Sequence, residues 1–342
     1  MKTVVSVSEI SELDIKPLAE SMEWKKILLE EIKNKWQNKT GWIDVPCPVC
    51  GSSDCMPAFN KFLFEYAECK NCKTLYASSR PPGKELTLWY GHSIAAEFWQ
   101  ENILKSSESS RNEKIIEPRA QWITDAISEY MHDASSRNIK YTDISFYGRM
   151  LNEKISELNE QLVVTAAGIT AGKEGYQGKK IRVVPLNSIN DLTGLDKTDI
   201  LVAIDVFDRI TSIQSFLEQV SQITEPGALV FAACPVSSGL EIQALWNESP
   251  SIIPPDKLNF PSVEGLISLF SASGKWEIME LSTPGMFDVQ LVRQALERNA
   301  GQWPRVVRAL FEHMDDTGDE LFTGYLQSQR LSSFARIVLK RK

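Results

Sequence analysis

The sequence predicts an α/β protein built on a doubly wound sheet, and the middle of the chain carries the clearest signal. Residues 200–204 form a continuous apolar run, which is typical of a strand buried on both faces. Residues 212–223 follow with apolar side chains at helical spacing, and Pro226-Gly227 predicts the end of that helix. A second apolar run, 228–233, completes a strand–helix–strand unit, which is right-handed in nearly all proteins.

Composition limits the class of protein. The 342 residues are enough for two domains and a large core, and 43% hydrophobic with 24% charged residues is usual for a globular protein. No apolar run approaches the roughly 20 residues of a membrane span, and the first residues lack the apolar core of a signal peptide, so we expect a cytoplasmic location. A net charge of −8 disfavours nucleic acid as the main partner.

Four regions are expected along the chain. Residues 1–40 carry an amphipathic helix, for which packing on the rest of the protein is favoured over an interface with a partner. Residues 41–82 are a cysteine-rich module, and 83–138 are a helical linker or cap that begins after a Pro-Pro-Gly break. Residues 139–342 form the α/β domain, whose other strands are predicted to end near Asp143 and to span 162–166, 181–184, 276–281 and 334–339.

The cysteine spacing predicts a metal site. Cys47-x2-Cys50 and Cys69-x2-Cys72 are two pairs separated by 18 residues, a pattern typical of zinc knuckles. Four thiolates leave no open coordination position, so the zinc would be structural. Cys55 leaves one alternative open, because its sulfur could replace one of the four. A redox role for one pair is less favoured, since no thioredoxin-like pattern surrounds it.

Several segments together resemble a known family. They are CPVCG (47–51), CKNCKTLYASSRPP (69–82), PPDKLNFPSVEGL (254–266), STPGMFDVQLV (282–292) and LSSFARIVLKRK (331–342). In this order they resemble bacterial class I S-adenosylmethionine-dependent methyltransferases with an N-terminal zinc ribbon, often linked to sugar or surface-polysaccharide biosynthesis. The resemblance implies a Rossmann-like methyltransferase sheet whose last two strands are antiparallel. It also implies S-adenosylmethionine as cofactor and a sugar, sugar-nucleotide or glycolipid acceptor.

The resemblance places the cofactor between Asp143, Gly148 and Asp205, at the carboxyl ends of two strands. The sequence departs from the family here, because the turn after the first strand contains Phe146 and Tyr147 where the family keeps glycines. Two rings in this turn are expected to fill space that the cofactor needs, although another path of the loop would direct them into the core. We therefore expect weak cofactor binding or none.

One further feature of the cofactor site is absent from the sequence. The strand at 162–166 ends without the carboxylate that would accept hydrogen bonds from the ribose hydroxyl groups. The glycine- and lysine-rich stretch at 168–180 matches no P-loop and is interpreted as a surface loop.

The candidate catalytic residues are Asp205 and Asp208, which directly follow the strand at 200–204. An acidic pair at this position also occurs as a helix cap, which is the alternative. The resembled family often has histidines where this chain has Arg209 and Lys257, and the chain has only 3 histidines in total, so a histidine base is not evident.

Two functions remain open at this point. The first is a methyltransferase-fold protein with impaired or lost cofactor binding, a pseudoenzyme that works as a scaffold or as the partner of an active relative or a second copy of itself. The second is an active methyltransferase on a sugar-type acceptor. The family's glycines, ribose carboxylate and histidines are missing at separate points of one functional region, while the motifs of the fold are kept. This pattern slightly favours the protein with impaired cofactor binding.

Overall fold

The computed structural model describes residues 1–5, 10–131, 137–176, 181–298 and 303–342. The strands in chain order are β1 (Ile43–Asp44), β2 (Cys55–Lys61), β3 (Phe64–Cys69), β4 (Leu75–Arg80), β5 (Ile139–Asp143), β6 (Leu162–Gly168), β7 (Ile181–Pro185), β8 (Thr198–Ile204), β9 (Thr224–Pro235), β10 (Asn259–Phe260), β11 (Trp276–Ser282) and β12 (Phe334–Arg341).

The α-helices are α1 (Glu12–Ile15), α2 (Leu18–Trp36), α3 (Gly83–His92), α4 (Ile94–Phe98), α5 (Glu108–Arg111), α6 (Glu117–Tyr130), α7 (Arg149–Leu158), α8 (Ile213–Ile223), α9 (Leu240–Leu245), α10 (Val263–Ala272), α11 (Asp288–Arg298), α12 (Arg305–His313) and α13 (Asp316–Ser328). None of the helices in the described ranges is long and apolar enough to cross a membrane.

The main sheet confirms the predicted α/β class. Its strands lie in the order β11-β12-β9-β8-β5-β6-β7, with β5 to β9 mutually parallel. β12 is antiparallel to both of its neighbours, as the resemblance implied for the last two strands. The strand order reverses between β5 and β8, and in open sheets the crevice at such a reversal is where ligands bind.

Burial on both faces explains the continuous apolar runs in the sequence. Along β8, Leu201 and Ala203 belong to the core on one face, while Ile200, Val202 and Ile204 belong to the core on the other face. Because successive side chains of a strand point to opposite faces, a strand covered on both sides has to be apolar at every position.

The beginning of β9 differs from the prediction. The strand starts at Thr224 and contains Pro226-Gly227, which was expected to separate it from the preceding helix. Thr198 pairs with Thr224 but Ile200 pairs with Leu229, so the residues between are bulged out of the ladder. Proline cannot donate a ladder hydrogen bond, and a bulge accommodates it within a strand.

The cysteine-rich module is a small antiparallel sheet joined to the main domain. Its strands lie in the order β1-β4-β3-β2, and β10, which lies nearly 200 positions later in the chain, pairs with β4. Asn259 faces Tyr76 and Phe260 faces Leu75 across this junction. The module therefore packs directly against the loops that follow β8 and β9.

The N-terminal helix α2 packs against the rest of the chain through one face. Its buried side chains are those of Trp24, Leu28, Ile32 and Trp36. The indole nitrogen of Trp24 donates to the carbonyl oxygen of Ala95 over 3.1 Å. The apolar face of α2 therefore packs on the rest of the chain, which is the interpretation that the sequence favoured over an interface with a partner.

Candidate functional site

A large cleft opens at the carboxyl edge of the parallel strands. Its volume is about 1490 Å³, and residues from the turn after β5, the loop after β8 and the start of β12 line it. This exceeds the roughly 300–1,000 Å³ of most small-molecule pockets, so the cleft has room for more than one ligand. More basic than acidic side chains line it, although the whole chain carries a net charge of −8.

The turn after β5 lines this cleft, whereas Asp143, the last residue of β5, is buried outside the lining. Its Oδ1 accepts hydrogen bonds from the amide and hydroxyl groups of Ser145. Within the described residues its Oδ2 has no partner. A Cβ atom at Gly148 would lie 2.4 Å from that Oδ2, so only glycine fits there. Burial raises the pKa of Asp143 to about 6, although the hydrogen bonds from Ser145 act against it.

Phe146 lies in the turn that leads from β5 to α7, beside the end of β8. Its side chain is nearly buried, and its amide donates to the carbonyl oxygen of Ile204 at the end of β8. The guanidinium carbon of Arg209 lies 4.4 Å from the ring centroid, and the ring of Tyr90 packs against it with 5.3 Å between centroids. The ring thus packs in the core and also forms part of the cleft wall. The sequence had left open whether the ring would point into the core or into the cofactor's space.

Tyr147 and Glu174 complete this side of the site. Tyr147 has φ of 56°, a left-handed conformation that favours glycine. Glu174 accepts a hydrogen bond of 2.8 Å from the amide of Arg149, the first residue of α7, and another of 2.7 Å from the hydroxyl of Thr170. A carboxylate of the chain itself therefore caps the helix that begins after the turn.

The end of β6 carries no acid, in agreement with the sequence. Ala166, Ala167 and Gly168 end this strand, and Leu186 donates its amide to the carbonyl oxygen of Gly168. Part of the glycine-rich stretch at 168–180 lies outside the described residues.

Asp205 and Asp208 meet at one basic side chain. The Lys257 ammonium nitrogen lies 3.1 Å from Oδ1 of Asp205 and 2.5 Å from Oδ2 of Asp208. Arg209 donates to Oδ2 of Asp208 over 3.0 Å and to the main-chain oxygen of Asp205 over 2.5 Å. The two residues that stand where the family has histidines are therefore both engaged with the candidate carboxylates.

This network makes Asp205 an ion-pair partner rather than a base. Burial alone would raise the pKa of Asp205, but the positive charges of Lys257, Arg209 and Arg119 outweigh it and lower that pKa to about 2. A group with so low a pKa is a weak proton acceptor near neutral pH. The helix-capping alternative does not apply, since the hydroxyl of Ser212 caps α8.

Asn259 fixes the loop that carries these acids. Its side-chain amide donates to the carbonyl oxygens of Phe207 and Ile210, and its main-chain amide donates to that of Asp208. Arg80 donates in turn to the Asn259 side-chain oxygen over 2.9 Å. The cysteine-rich module thus helps to hold the acidic loop in place.

The four predicted metal ligands come together in space. The sulfur atoms of Cys47, Cys50, Cys69 and Cys72 all lie within 4.8 Å of one another. Two of the distances, Cys47 to Cys72 and Cys50 to Cys69, are 3.5 Å. Tetrahedral zinc with Zn–S bonds of about 2.3 Å places its sulfurs about 3.8 Å apart, so this donor set fits the ion. Among the described residues, Cys55 is not part of the group.

Both knuckles contact loops of the main domain. The amide of Ile213, at the start of α8, donates to the carbonyl oxygen of Pro48 over 2.8 Å. The hydroxyl of Ser262, which caps α10, donates to the carbonyl oxygen of Cys72. The metal cluster therefore contacts the starts of α8 and α10, and none of its four cysteines lines the cleft.

Sequence reasoning missed three contributors to the site. Lys257 stands where the resembled family often has a histidine. Its positive charge could have suggested an ion pair with Asp205 or Asp208. Glu174 lies in a stretch that was interpreted as a surface loop. Arg119 lines the cleft from the helical region before the sheet, and no motif marks it.

The strand order is that of the Rossmann-like methyltransferase fold. No family model matches the sequence, and no curated protein matches it. Similar solved structures include the plantazolicin methyltransferase BpumL bound to a desmethylPZN analogue and SAH, with 13% identity over 76% of this chain and 95% of that one, TM-score 0.44.

Two further solved structures have comparable similarity. Loganic acid methyltransferase with SAH has 13% identity over 69% of this chain and 96% of that one, TM-score 0.42. A putative sarcosine dimethylglycine methyltransferase from Galdieria sulphuraria has 12% identity over 70% and 88%, TM-score 0.41. The TM-scores of all three structures are below 0.5, and the fold is identified by the order and direction of its own strands.

Proposed function

We propose that this chain is a methyltransferase-fold protein whose cofactor half is impaired, and that it acts as a scaffold or as the partner of an active methyltransferase or of a second copy of itself. One observation carries the proposal. The side chain of Phe146, with the guanidinium group of Arg209 stacked 4.4 Å from its centroid, forms the cleft wall beside the end of β8. This is where the resemblance places the cofactor.

The charge network supports the same function. Lys257 pairs with both candidate carboxylates and Arg209 pairs with that of Asp208, while Oδ1 of Asp208 has no partner among the described residues. Both acids are therefore tied up in ion pairs. The ribose carboxylate is also missing. Loss of one charge-assisted hydrogen bond weakens affinity by about ten- to a hundredfold, since it costs about 1.5–3 kcal/mol.

Exposed apolar side chains on the C-terminal helices support a role with a partner. On α12, Val306 and Leu310 are one turn apart and both exposed, and Leu321 and Tyr325 on α13 are related in the same way. Large apolar side chains at (i, i+4) form one face of a helix, and such faces are often covered by another protein.

The alternative is an active S-adenosylmethionine-dependent methyltransferase on a sugar, sugar-nucleotide or glycolipid acceptor. It is favoured by the unpartnered Oδ2 of Asp143 next to Gly148, together with the volume of the cleft. Placing substrates at close range supplies much of the acceleration of methyl transfer, so an enzyme without a histidine base is chemically possible.

We also propose that Cys47, Cys50, Cys69 and Cys72 hold one structural zinc ion. Four thiolates saturate a tetrahedral ion, and the cluster lies at the junction between the cysteine-rich module and the sheet. The ion would fix both knuckles and, through their contacts to the ends of α8 and α10, the loops that line the cleft.

Calorimetry with S-adenosylhomocysteine tests the cofactor proposal. We expect the wild-type protein to bind it weakly or not at all, and submicromolar binding would restore the enzyme as the favoured function. The follow-up is Phe146→Gly combined with Tyr147→Gly, which removes both rings and suits the positive φ of residue 147. Recovered binding would show that the rings block the site, and no recovery would mean loss across the whole pocket.

A further inference from the structure

We propose that the cleft binds a phosphoryl-type anion with the size and charge of a diphosphate, at the guanidinium groups of Arg111, Arg119 and Arg336. The proposal goes beyond the function proposed above, because it assigns a small-molecule ligand to the cleft. It does not depend on whether the cofactor binds.

The three arginines come from separate elements and reach the same cleft. Arg111 ends α5, Arg119 lies in the first turn of α6, and Arg336 follows the start of β12, where it faces Ala233 near the end of β9. All three line the cleft and are half-buried. Arg336 stacks on the ring of Trp122, which lies one turn from Arg119 on α6, so Arg119 and Arg336 are neighbours on the cleft wall.

Two of the three side chains are held in position by neighbours that carry no charge. Arg111 donates from Nε to the hydroxyl of Ser107 over 2.8 Å and from Nη2 to the carbonyl oxygen of Ile15 over 2.5 Å. The guanidinium group of Arg336 lies 5.3 Å from the centroid of the Trp122 ring. Aromatic faces and carbonyl oxygens orient a guanidinium group and leave its charge intact.

The cluster lacks a counter-charge of its own. Within the described ranges, no carboxylate oxygen lies within 4.0 Å of any of the three guanidinium groups. The Nε of Arg336 is buried and has no partner there. Glu280, whose charge acts on Arg336, accepts hydrogen bonds from Trp122 and Ser282 instead.

Electrostatics agree with this geometry. Burial and the charge of Arg119 lower the pKa of Arg111 to about 10. The same two causes lower the pKa of Arg336 to about 10. Burial also lowers the pKa of Arg119, which the more distant Asp205 and Asp143 offset only in part. Like charges held together in a partly buried cleft are costly, and a bound anion removes this cost.

The charge of the cluster selects the ligand class. A single carboxylate would neutralise one of three positive charges, whereas a diphosphate carries two to three negative charges and several acceptor oxygens. Guanidinium groups match phosphoryl oxygens through paired, charge-assisted hydrogen bonds. The charge of Asp205 acts on Arg111 and Arg119, but Lys257 pairs with the same carboxylate, so one shared acid does not balance the arginines.

Inorganic pyrophosphate is the probe, measured by calorimetry and thermal denaturation on the full chain at constant ionic strength. We expect Arg119→Gln to weaken pyrophosphate affinity at least about tenfold. Without ligand, this variant should melt at the wild-type temperature or above it, because one repelling charge is gone. The matched control is Arg182→Gln, an exposed arginine on β7 that pairs with Asp196 outside the cleft. Arg336→Gln provides the same readout from a different element.

Equal pyrophosphate affinity in wild type and Arg119→Gln, or no binding to wild type, would overturn the proposal. Acetate that binds as well as pyrophosphate would overturn the phosphoryl assignment. A variant that loses affinity for S-adenosylhomocysteine but keeps pyrophosphate would mean that the arginines serve the cofactor carboxylate. Tight binding of S-adenosylhomocysteine by wild type would overturn only the proposed loss of cofactor binding, since the pyrophosphate result is read separately.

Discussion

The ammonium group of Lys257 lies 2.5 Å from the carboxylate of Asp208, whose side chain is 0% exposed. The same ammonium group reaches Asp205, so one lysine balances two acids at the edge of the cleft. A buried carboxylate without its partner is costly, because it has left water without regaining an equivalent interaction.

Lys257→Met should therefore lower the free energy of unfolding by about 2–4 kcal/mol. This is less than the roughly 3–5 kcal/mol typical of a broken buried ion pair, because Arg209 still faces Asp208. Denaturation in urea at neutral pH measures this change. Lys197→Met is the control, because Lys197 pairs with Glu225 at an exposed site and should change stability by less than about 0.5 kcal/mol. Equal stability of Lys257→Met and wild type would contradict the role assigned to the network.

Asp143 should make stability fall as the pH rises through the mildly acidic range. Its pKa is about 6 in the folded protein against 3.8 in the unfolded chain, so the folded state binds more protons between these values. The penalty is absent below pH 4 and complete above pH 6, at no more than about 3 kcal/mol.

Asp143→Asn removes this titration. The stability of the variant relative to wild type should grow from pH 4 to pH 6 and then stay level, as measured by urea denaturation at each pH. Asp125→Asn, at an exposed position of α6, should show no such growth. A constant difference between Asp143→Asn and wild type would show that Asp143 does not titrate in this range.

Cys69→Ser should remove most of the zinc, since its buried sulfur is one of the four in the cluster. Elemental analysis should find about one zinc per chain in wild type and in Cys55→Ser, which lies outside the cluster. The unfolding free energy of Cys69→Ser should drop by several kcal/mol, because metal binding contributes directly to folding. Stoichiometric zinc in Cys69→Ser, or its loss in Cys55→Ser, would correct the ligand assignment.

Gly239→Ala should be among the most damaging single substitutions. A Cβ atom there would lie 2.2 Å from the Cα of Ser333, and main chain cannot give way as a flexible side chain can. We expect a loss of more than about 3 kcal/mol in thermal or chemical denaturation. Gly324→Ala in α13 is the opposite case, because its surroundings are open, and it should raise stability by about 0.5–1 kcal/mol. Similar effects of the two substitutions would refute the steric explanation.

The fold was predictable because burial on both faces of a strand leaves a direct trace in the sequence. The runs at 200–204 and 228–233 are apolar at every position, and they lie side by side and parallel as expected. The cysteine pairs were predictable for a related reason, since a tetrahedral ion requires ligands at the short spacing of a knuckle. Pro226-Gly227 was misplaced, because a bulge inside a strand and a turn between elements share the same residues.

The sequence by itself therefore determined the class of sheet, the order of its parts and the four cysteines that cluster. Only the tertiary structure decided the charge state of the cleft. Lys257 is 52 positions from Asp205, and Arg119 and Arg336 are more than 200 positions apart. Local patterns record the period of a helix or strand, but the pairing of distant charges depends on where the folded chain places them. The pKa of an acid depends on its burial and on the charges beside it more than on its residue type. The same two factors decide whether an arginine remains free to bind an anion.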